Sequence, residues 1–489
     1  MQSNTDTVVE LNLAEKLRKL ENLIQMWSAR PLTLKGKITV IQSIFISQIL
    51  YPCSVLYVPQ WCIDRLHNMF INFLWNNKRP KIKHTCLIAD RDCGGLRFPD
   101  IKNKIKALKL VWIQRLFDHS VHAWKECFQK SIKKNIFILI QSAPDPKDLP
   151  FTISNFYGQL FSYWHDFHYK DVLGYQDIYC QPLWLNSHIL VGGKTVYNKN
   201  WIDKGIINIA DICSHTGHIL PHDVIANKFG LNIDFLHYRS MVSAIPMEWK
   251  HTIRNTTNIV NSSIKISDYP IVKIGNTRKP LNKVKCRDFY WSLISNFIEE
   301  PTSKSKWTQN YLLTLDDVTW KYIYSLPHRI TIDTYLQSFQ FKILHRIFTC
   351  GKYLHKVGIR ENNICTFCKE NLVDDIMHYF YECNAVLDLW QSIYNLLYDI
   401  FDVRLNLSRF DIIFGIINMT DDSTLDVINY IILLAKCFIF KCKKDNNNID
   451  FTLFCRELKN RMDILKFIMY KNNKAKDFDD KWSILLEFL

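Results

Sequence analysis

The sequence predicts a mainly α protein of several domains. Its 489 residues are 48% hydrophobic, which is enough to form large buried cores, and this length suits two to four domains. Glycine is scarce, with 14 residues in the chain against a usual share of about 7%. Apolar residues recur at spacings of three and four over long stretches, which is the spacing of one helix face. Few glycines together with this periodicity favour helices over tight hairpins.

The first 75 residues predict three helices with short connections, which together form a helical bundle. Apolar stripes occupy positions 13–27, 38–49 and 63–73. We expect Pro31 to end the first helix and Pro52 to follow the second, because proline lacks an amide donor. The apolar residues of all three stripes are interpreted as core.

The strongest charge asymmetry lies directly after this bundle. The whole chain has a formal net charge of +15 and a pI of about 9.0. Positions 78–134 contain 15 Lys and Arg residues against 5 Asp and Glu residues, so about two-thirds of the excess charge lies there. Such an excess of positive charge suits a polyanionic partner, and it favours nucleic acid over a membrane surface. An ordinary solvated helix face is the alternative.

Three basic elements follow one another in this region. They are a loop at 76–83, a turn at Gly94-Gly95, and a helix from Ile101 with lysines beside its apolar stripe. The paired glycines allow positive φ and a close backbone approach, but they lack the spacing of a nucleotide-binding loop. A basic stripe beside an apolar one can follow phosphates. The candidate phosphate contacts, including two on a later helix, are Lys35, Lys37, Lys78, Arg79, Lys81, Lys83, Arg97, Lys102, Lys106, Lys109, Lys342 and Arg346.

Cysteine and histidine combine in one ordered motif, Cys-x2-Cys-x9-His-x4-Cys. Two thiolates in a tight turn can hold a soft cation, and a His and a third Cys about a helical turn further on can complete a tetrahedron. The motif predicts a structural Zn²⁺ site, with the ligands Cys365, Cys368, His378 and Cys383. A chance grouping is the alternative, because the chain has 15 Cys and 16 His. His345 and His355 lie close enough in sequence to replace the histidine ligand.

The cysteine count is odd, the cysteines are scattered, and no signal peptide opens the sequence. We therefore expect reduced thiols in an intracellular compartment, either nucleus or cytoplasm. No uninterrupted apolar run reaches the ~20 residues of a membrane span, so no membrane partner is expected. The best candidate, positions 38–58, contains Gln42, Gln48 and Pro52 and predicts an amphipathic helix plus a turn.

Several segments, in one order, carry a family resemblance. They are Trp27 with Leu32 to Ile38, Phe73-Leu74-Trp75, Gly94-Gly95-Leu96 with Pro99-Asp100, Gln181 to Asn186, Gln340 to Arg346, the Cys/His motif and Trp390. This order resembles the region after the polymerase palm in non-long-terminal-repeat (long interspersed element) retrotransposon reverse transcriptases. The resemblance runs from about residue 10 to about residue 445. It implies a helical thumb, a connecting region and a zinc-binding module, with RNA or DNA as partner and a palm-bearing chain as a second one.

The palm of that family has no counterpart in this sequence. Polymerase chemistry needs carboxylates that hold two Mg²⁺ ions, and the family carries them in an aromatic-x-Asp-Asp turn. The residues two positions before the four adjacent Asp pairs are not aromatic; they are Thr314, Leu372, Met419 and Asp477. The family's endonuclease domain has no counterpart either, and Met1 falls where the palm would end. We therefore expect a C-terminal fragment without polymerase or nuclease activity of its own.

The resemblance, together with linker-like stretches of the sequence, implies five segments. We expect a thumb-like bundle with a basic surface at 1–140, a connecting region at 151–285, linker helices at 286–330, the zinc module at 331–395 and C-terminal helices at 396–489. Pro144, Pro146 and Pro150 mark the first linker. The aromatic residues between 156 and 169 are interpreted as core, although exposed rings can also stack on unpaired bases.

Two functions of different classes are open. The first is a nucleic-acid-binding fragment of a retrotransposon reverse transcriptase, which predicts an affinity that falls steeply with salt. The second is a zinc-stabilised scaffold that binds protein and has no nucleic-acid function. In the second case the basic loop serves only solubility, and reversing its charges leaves the weak nucleic-acid binding unchanged.

Overall fold

A computed structural model describes residues 2–117, 122–132, 136–148, 153–168, 178–214, 216–255, 271–368, 370–402, 405–417 and 423–488. The fold is mainly α, as the sequence predicts. Within these ranges the strands form two short antiparallel hairpins, in which β1 (Leu190–Val191) pairs with β2 (Lys194–Thr195) and β3 (Ile271–Ile274) pairs with β4 (Thr277–Pro280). Pro150, Tyr169 and the Asp421-Asp422 pair lie outside the described residues.

The helices are α1 Gln2–Ser28, α2 Leu34–Val40, α3 Ile46–Val55, α4 Gln60–Trp75, α5 His84–Leu87, α6 Ile101–Phe117, α7 Ala123–Ile132, α8 Ile136–Ser142, α9 Asn155–His168, α10 Lys199–Asp203, α11 His222–Phe229, α12 Phe235–Ala244, α13 Met247–Asn255, α14 Cys286–Ser295, α15 Thr302–Tyr311, α16 Asp317–Ile330, α17 Thr334–Leu344, α18 Gly351–Lys356, α19 Asn384–Phe401, α20 Arg409–Phe414, α21 Ser423–Asp445, α22 Phe451–Lys471 and α23 Ala475–Phe488. In the described part of the chain, π-helical turns occupy Ile41–Phe45 and His378–Glu382. Shorter 3₁₀ turns lie at Pro146–Asp148, Ile209–Ile212 and Leu281–Lys283.

The chain divides into two compact units, each built from separate stretches of sequence. The first unit comprises Met1–Asn22, Ile46–Met69 and Asp100–Phe297. The second comprises Leu23–Phe45, Phe70–Pro99 and Ile298–Leu489. The five segments expected from the sequence and the resemblance stay a prediction.

In the first unit α6 is the central helix and packs along α3, α8, α9 and α14. Its residues Ile105, Leu110 and Ile113 are fully buried. Trp164 of α9 is buried in the same core and donates a hydrogen bond of 2.7 Å from its indole to the carbonyl oxygen of Ile140. The described aromatic residues of this region therefore contribute to the core, as predicted.

In the second unit α21 lies at the centre of the core. Residues 426–439 are all buried, and α16, α17, α19, α22 and α23 pack against them. Lys436 is enclosed in this core, where its Nζ donates to Gln340 Oε1 at 2.7 Å and to the carbonyl oxygen of Ile413 at 3.0 Å. The same core also carries the Cys/His motif.

One predicted helix end is wrong. Pro52 lies inside α3, which continues to Val55, because a proline bends a well-packed helix without having to end it. A π-helical turn joins α2 to α3, so this part of the chain is helical from Leu34 to Val55. By length and composition alone that stretch could cross a membrane, and it is the one such helix in the described ranges. Core helices of globular proteins pass the same test, and Ile41 and Phe45 are completely buried.

The Gly94-Gly95 turn needs both of its glycines. Gly94 has a φ of +79°, which favours glycine. A Cβ on Gly95 would lie 2.1 Å from the carbonyl oxygen of Ala89, so a backbone approaches it too closely for any side chain. The prediction that the paired glycines allow positive φ and a close backbone approach is confirmed.

Candidate metal centre

Four side chains of the second unit converge on one point. One ligand atom from each of Cys365, Cys368, His378 and Cys383 lies within 4.8 Å of all the others. The Sγ atoms of Cys365 and Cys383 are 4.0 Å apart, and Cys368 Sγ lies 3.3 Å from His378 Nε2. None of the four residues is more than 8% exposed. The motif found in the sequence is therefore one buried cluster that could hold a metal ion.

The two cysteines of the Cys-x2-Cys pair lie in a turn between two extended segments. Ile364 and Val373 form an antiparallel bridge, and the amide of Cys365 donates to the carbonyl oxygen of Leu372 at 2.9 Å. The amide of Phe367 points back at Cys365 Sγ, 3.4 Å away. The turn thus presents both thiols from the same end of a small hairpin.

The other two ligands lie at the ends of a π-helical turn. This turn runs over His378–Glu382, and its hydrogen bond joins the amide of Cys383 to the carbonyl oxygen of His378 at 3.0 Å. A π-helical turn pairs residues i and i+5, which is the separation of the two ligands. Cys383 also begins α19 as its N-cap residue. The x4 spacing therefore brings His378 and Cys383 to one side, and a long buried helix holds the second of them in place.

The Cys365 and Cys383 thiols lie within hydrogen-bonding distance of each other. The hydrogen bond from Cys383 lowers the pKa of Cys365, whose thiolate is also favoured by the amides of Cys368 and Phe367. The same hydrogen bond raises the pKa of Cys383. Cys365 is therefore the cysteine of this pair that is predisposed to be a thiolate, which is the form that binds a metal.

The spacing of the four atoms fits a tetrahedral ion. With metal–sulfur bonds of ~2.3 Å, two sulfurs at the corners of a tetrahedron lie about 3.8 Å apart. The observed Cys365–Cys383 separation of 4.0 Å is close to that value. Because four protein ligands fill the coordination shell, a tetrahedral ion here would have no open position for a substrate.

Asp374, which sequence reasoning did not single out as a contributor to this site, fastens the hairpin. Its Oδ2 accepts a hydrogen bond of 2.7 Å from the amide of Gly351, its own amide donates to the carbonyl oxygen of Asn363 at 2.8 Å, and its carbonyl accepts from the amide of Lys352 at 2.9 Å. Burial raises the pKa of this carboxyl group. A Cβ on Gly351 would lie 2.8 Å from Asp374. The start of α18 therefore packs tightly on the metal-binding hairpin.

A lysine from α21 approaches the cluster. Lys443 Nζ donates to the carbonyl oxygen of Tyr379 at 3.0 Å and lies 4.5 Å from the centre of the Tyr379 ring. The hydrogen bond to Cys365 opposes ionisation of Cys383, and the charge of Lys443 favours the Cys383 thiolate by a smaller amount. Three thiolates around a divalent ion leave one net negative charge, which Lys443 is placed to offset. Because Lys443 lies far from the motif along the chain, no local sequence pattern predicts that it approaches the cluster.

The two alternative histidines do not join the cluster. His345 is buried, and its Nε2 lies 2.9 Å from the carbonyl oxygen of Gly94. Burial lowers the pKa of His345 to about 4, so it is a neutral donor to that carbonyl. His355 contacts the carbonyl oxygen of Arg360 through Nδ1 at 3.1 Å. His378 is thus the histidine that the fold places with the three cysteines.

The candidate phosphate contacts fall into groups. Lys78, Arg79 and Lys81 of the loop after α4 are exposed, and Lys342 is exposed on α17 of the same unit. Lys102 is exposed on α6, and Lys106, also on α6, pairs with Asp166 at 3.6 Å. The α6 lysines belong to the first unit, so they do not extend the basic loop within the second.

Four more candidates are exposed or half-buried but are already engaged inside the second unit. Lys35 donates to Gln337 Oε1 at 2.5 Å, and Lys83 pairs with Glu299 at 2.8 Å. Arg97 pairs with Asp90. Arg346 donates to the carbonyl oxygen of Lys306 at 2.9 Å and lies 4.8 Å from the Trp307 ring centre. A phosphate would have to compete with these contacts.

Two candidates are corrected by the structure. Lys109 is fully buried, donates to the carbonyl oxygen of Leu56 and lies over the Phe156 ring. Burial lowers its pKa to about 7. Lys109 follows Ile101 and Ile105 at intervals of four, and these positions form the buried side of α6. The prediction placed the lysines beside the apolar stripe, whereas Lys109 lies within it. Lys37 is 4% exposed and donates to the carbonyl oxygen of Phe73 at 2.7 Å, so it closes the end of α4.

A search of protein-family models finds none that matches this chain.

Proposed function

We propose that this chain binds nucleic acid, and that its Cys/His cluster holds a structural zinc ion. The observation that carries the proposal is that the second unit presents exposed basic residues, Lys78, Arg79, Lys81 and Lys342, on the same compact body as a closed Cys₃His cluster. The resemblance to the C-terminal half of a non-long-terminal-repeat retrotransposon reverse transcriptase supports the same function.

The donor set favours zinc over other cations. Three thiolates and one imidazole are soft or borderline ligands, whereas calcium and magnesium prefer oxygen. Zinc sites with four protein ligands are structural, because catalytic sites keep one position for water or substrate. Cys383 begins α19, and the π-helical turn before it packs on the core. A bound ion would therefore tie the hairpin, the turn and a core helix together.

The basic loop supports binding of phosphates. Lys78 and Arg79 extend from the end of α4, where Asn76 and Asn77 have positive φ of 52° and 57°. This left-handed pair ends the helix and sends the loop outwards as an exposed segment. Each phosphate that such residues neutralise adds to affinity in a salt-dependent way, without sequence preference.

We propose a binding function rather than catalysis. Two Asp pairs have structural roles: Asp316 is the N-cap of α16, and Asp374 fastens the metal-binding hairpin. The Asp479-Asp480 pair lies within α23. We infer that polymerase activity would require a palm supplied by another chain. This protein would then contribute to the binding of RNA or DNA.

The test is a fluorescence titration of the full-length protein against a structured RNA and a DNA duplex at several salt concentrations. The proposal predicts that affinity falls steeply as salt rises. A flat salt response would contradict it and favour the alternative, a zinc-stabilised scaffold that binds protein. A magnesium-dependent primer-extension assay on the same sample tests catalysis, where any templated product would contradict a purely binding role.

A further inference from the structure

A cavity of about 450 Å³ lies within the second unit. It is walled by the segment entering α2, by the end of α4 and by one side of α17. Phe339, Phe348 and Phe440 line it, with ring centres 5.3 to 5.8 Å from one another. Small-molecule sites are concave and mostly apolar, with volumes of about 300–1,000 Å³. The size and the aromatic lining fit one flat organic group.

Two residues that line this cavity, Trp75 and Ser338, each carry a polar group without a partner. The indole Nε1 of Trp75 and the hydroxyl of Ser338 are buried, and no hydrogen-bonding partner for either is found among the described residues. Both residues are only 7% exposed. A buried donor without an acceptor is unfavourable, and native proteins rarely keep one without a reason. Because both atoms are shielded from solvent, a ligand with acceptor atoms would satisfy them only if the cavity walls moved.

The charged residues around the cavity all have one sign. Lys78, Lys81 and Lys342 line it, together with Lys37, whose Nζ is already bound to the end of α4, and no Asp or Glu is among its described lining residues. Burial, and next the charge of Lys81, lower the pKa of Lys342. Lys342 as a whole is nevertheless an exposed residue, so it can meet a ligand at the mouth. Clustered lysines repel one another, and a bound anion would relieve that repulsion.

We propose that this cavity binds one nucleotide, with the base among the aromatic residues and the phosphate at the lysines. Aromatic lining, unpaired donors and lysines without carboxylates are together what a phosphorylated base would need. The nucleotide is either free or the unpaired terminal nucleotide of a nucleic acid. Because Lys78 and Lys81 also belong to the basic loop, the second case rests on the proposed nucleic-acid function, whereas the first does not.

The test is calorimetric titration of the full-length protein with adenosine 5′-monophosphate. Adenosine and inorganic phosphate are titrated separately. We expect the nucleotide to bind about tenfold or more tightly than either part, because stacking and charge act together. Lys342→Glu and Ser338→Val should each weaken binding several-fold. Lys81→Glu should also weaken it, and because Lys81 lies in an exposed loop, this variant stays informative if a helix variant misfolds. Lys471→Glu, exposed at the end of α22, is the matched control and should leave binding unchanged.

A second titration separates the two sources of the nucleotide. It compares a blunt RNA duplex with the same duplex carrying one unpaired 3′ nucleotide. Tighter binding of the overhang, abolished in Ser338→Val, supports a terminal nucleotide, and binding of the free nucleotide alone supports a free one. If the free nucleotide does not bind and the two duplexes bind equally, the cavity proposal is overturned while the nucleic-acid function stands. If the nucleotide binds and neither duplex does, the cavity proposal stands and the nucleic-acid function is overturned.

Discussion

The indole Nε1 of Trp390 donates a hydrogen bond of 2.7 Å to the carbonyl oxygen of Phe380. Phe380 lies inside the π-helical turn that carries His378, and Trp390 lies on α19. A π-helical turn leaves carbonyl groups without regular partners, and here a buried indole satisfies one of them. The hydrogen bond therefore fixes the turn that sets the distance between His378 and Cys383.

Replacing that indole should loosen the metal centre without removing a ligand. Trp390→Phe keeps an aromatic ring but leaves the buried Phe380 carbonyl unsatisfied, which costs about 1–3 kcal/mol. We expect a lower melting temperature and faster release of metal to a chelator, measured by thermal unfolding and a colorimetric zinc assay. Trp61→Phe, at a tryptophan that is 43% exposed, is the control. Equal metal release in both variants would contradict the role of Trp390.

Removing a thiol ligand should remove the metal and destabilise the second unit. Cys383→Ser deletes a completely buried ligand, and structural zinc contributes directly to folding free energy. We expect about one zinc per chain in the wild type and much less in the variant, by elemental analysis, together with a lower melting temperature. Acidification should also release the metal, because protons compete for thiolate and imidazole.

The matched control for that variant is Cys127→Ser, at an exposed cysteine of the first unit. It should keep full zinc content and wild-type stability. Wild-type protein that contains no zinc after expression in zinc-supplemented medium, and gains no stability on zinc addition, would contradict the metal assignment.

The buried Lys436 should make stability depend on pH. Burial lowers its pKa to about 7, against about 10.4 in an unfolded chain. Between these values the unfolded chain binds more protons, so stability rises with pH. Lys436→Met should therefore be more stable than the wild type at pH 7, on the order of 1–4 kcal/mol, and the difference should shrink towards pH 10. Denaturant unfolding at several pH values measures it, with the exposed Lys444→Met as control. A difference that does not change with pH would refute this role of Lys436.

Two glycine substitutions should have opposite effects. Gly95→Ala would place a Cβ 2.1 Å from the carbonyl oxygen of Ala89, so the backbone must shift, which we expect to cost about 1–3 kcal/mol. Gly158→Ala, within α9, meets only Ile153 at 3.9 Å and should stabilise by about 0.5–1 kcal/mol, because alanine favours a helix interior. Melting temperatures of the two variants test this pair. A harmless Gly95→Ala would show that the turn has room for a side chain.

The fold class and the four clustered side chains can be predicted from the sequence, because both depend on local sequence patterns. Periodicity determines which face of α4 or α19 is buried, and a Cys-x2-Cys turn followed by His-x4-Cys needs only one hairpin and one turn to close. Lys109 was predicted wrongly because its position, four residues after Ile105 and eight after Ile101, competes with the usual rule that lysine stays in solvent. The cavity depends on Trp75 and Ser338, which are more than 250 residues apart in the chain, and no local pattern relates them.

The loop after α4 is the part of the chain that we propose to grip nucleic acid through its charges. The most direct test compares two triple variants with the same change in net charge, in titrations of a structured RNA and a DNA duplex across salt concentrations. The first reverses Lys78, Arg79 and Lys81 to Glu. The second reverses three exposed lysines on and after α22, namely Lys471, Lys474 and Lys476.

We predict that the loop variant binds both nucleic acids with much lower affinity than the wild type. Its slope of log affinity against log salt should become shallower by up to about 0.9 for each phosphate that the loop no longer neutralises. The α22 variant should bind nearly as the wild type does. If both variants weaken binding equally, only the overall charge of the protein matters and the loop is not a binding site. If neither changes a weak, salt-indifferent affinity, the protein is a metal-stabilised scaffold without a nucleic-acid function.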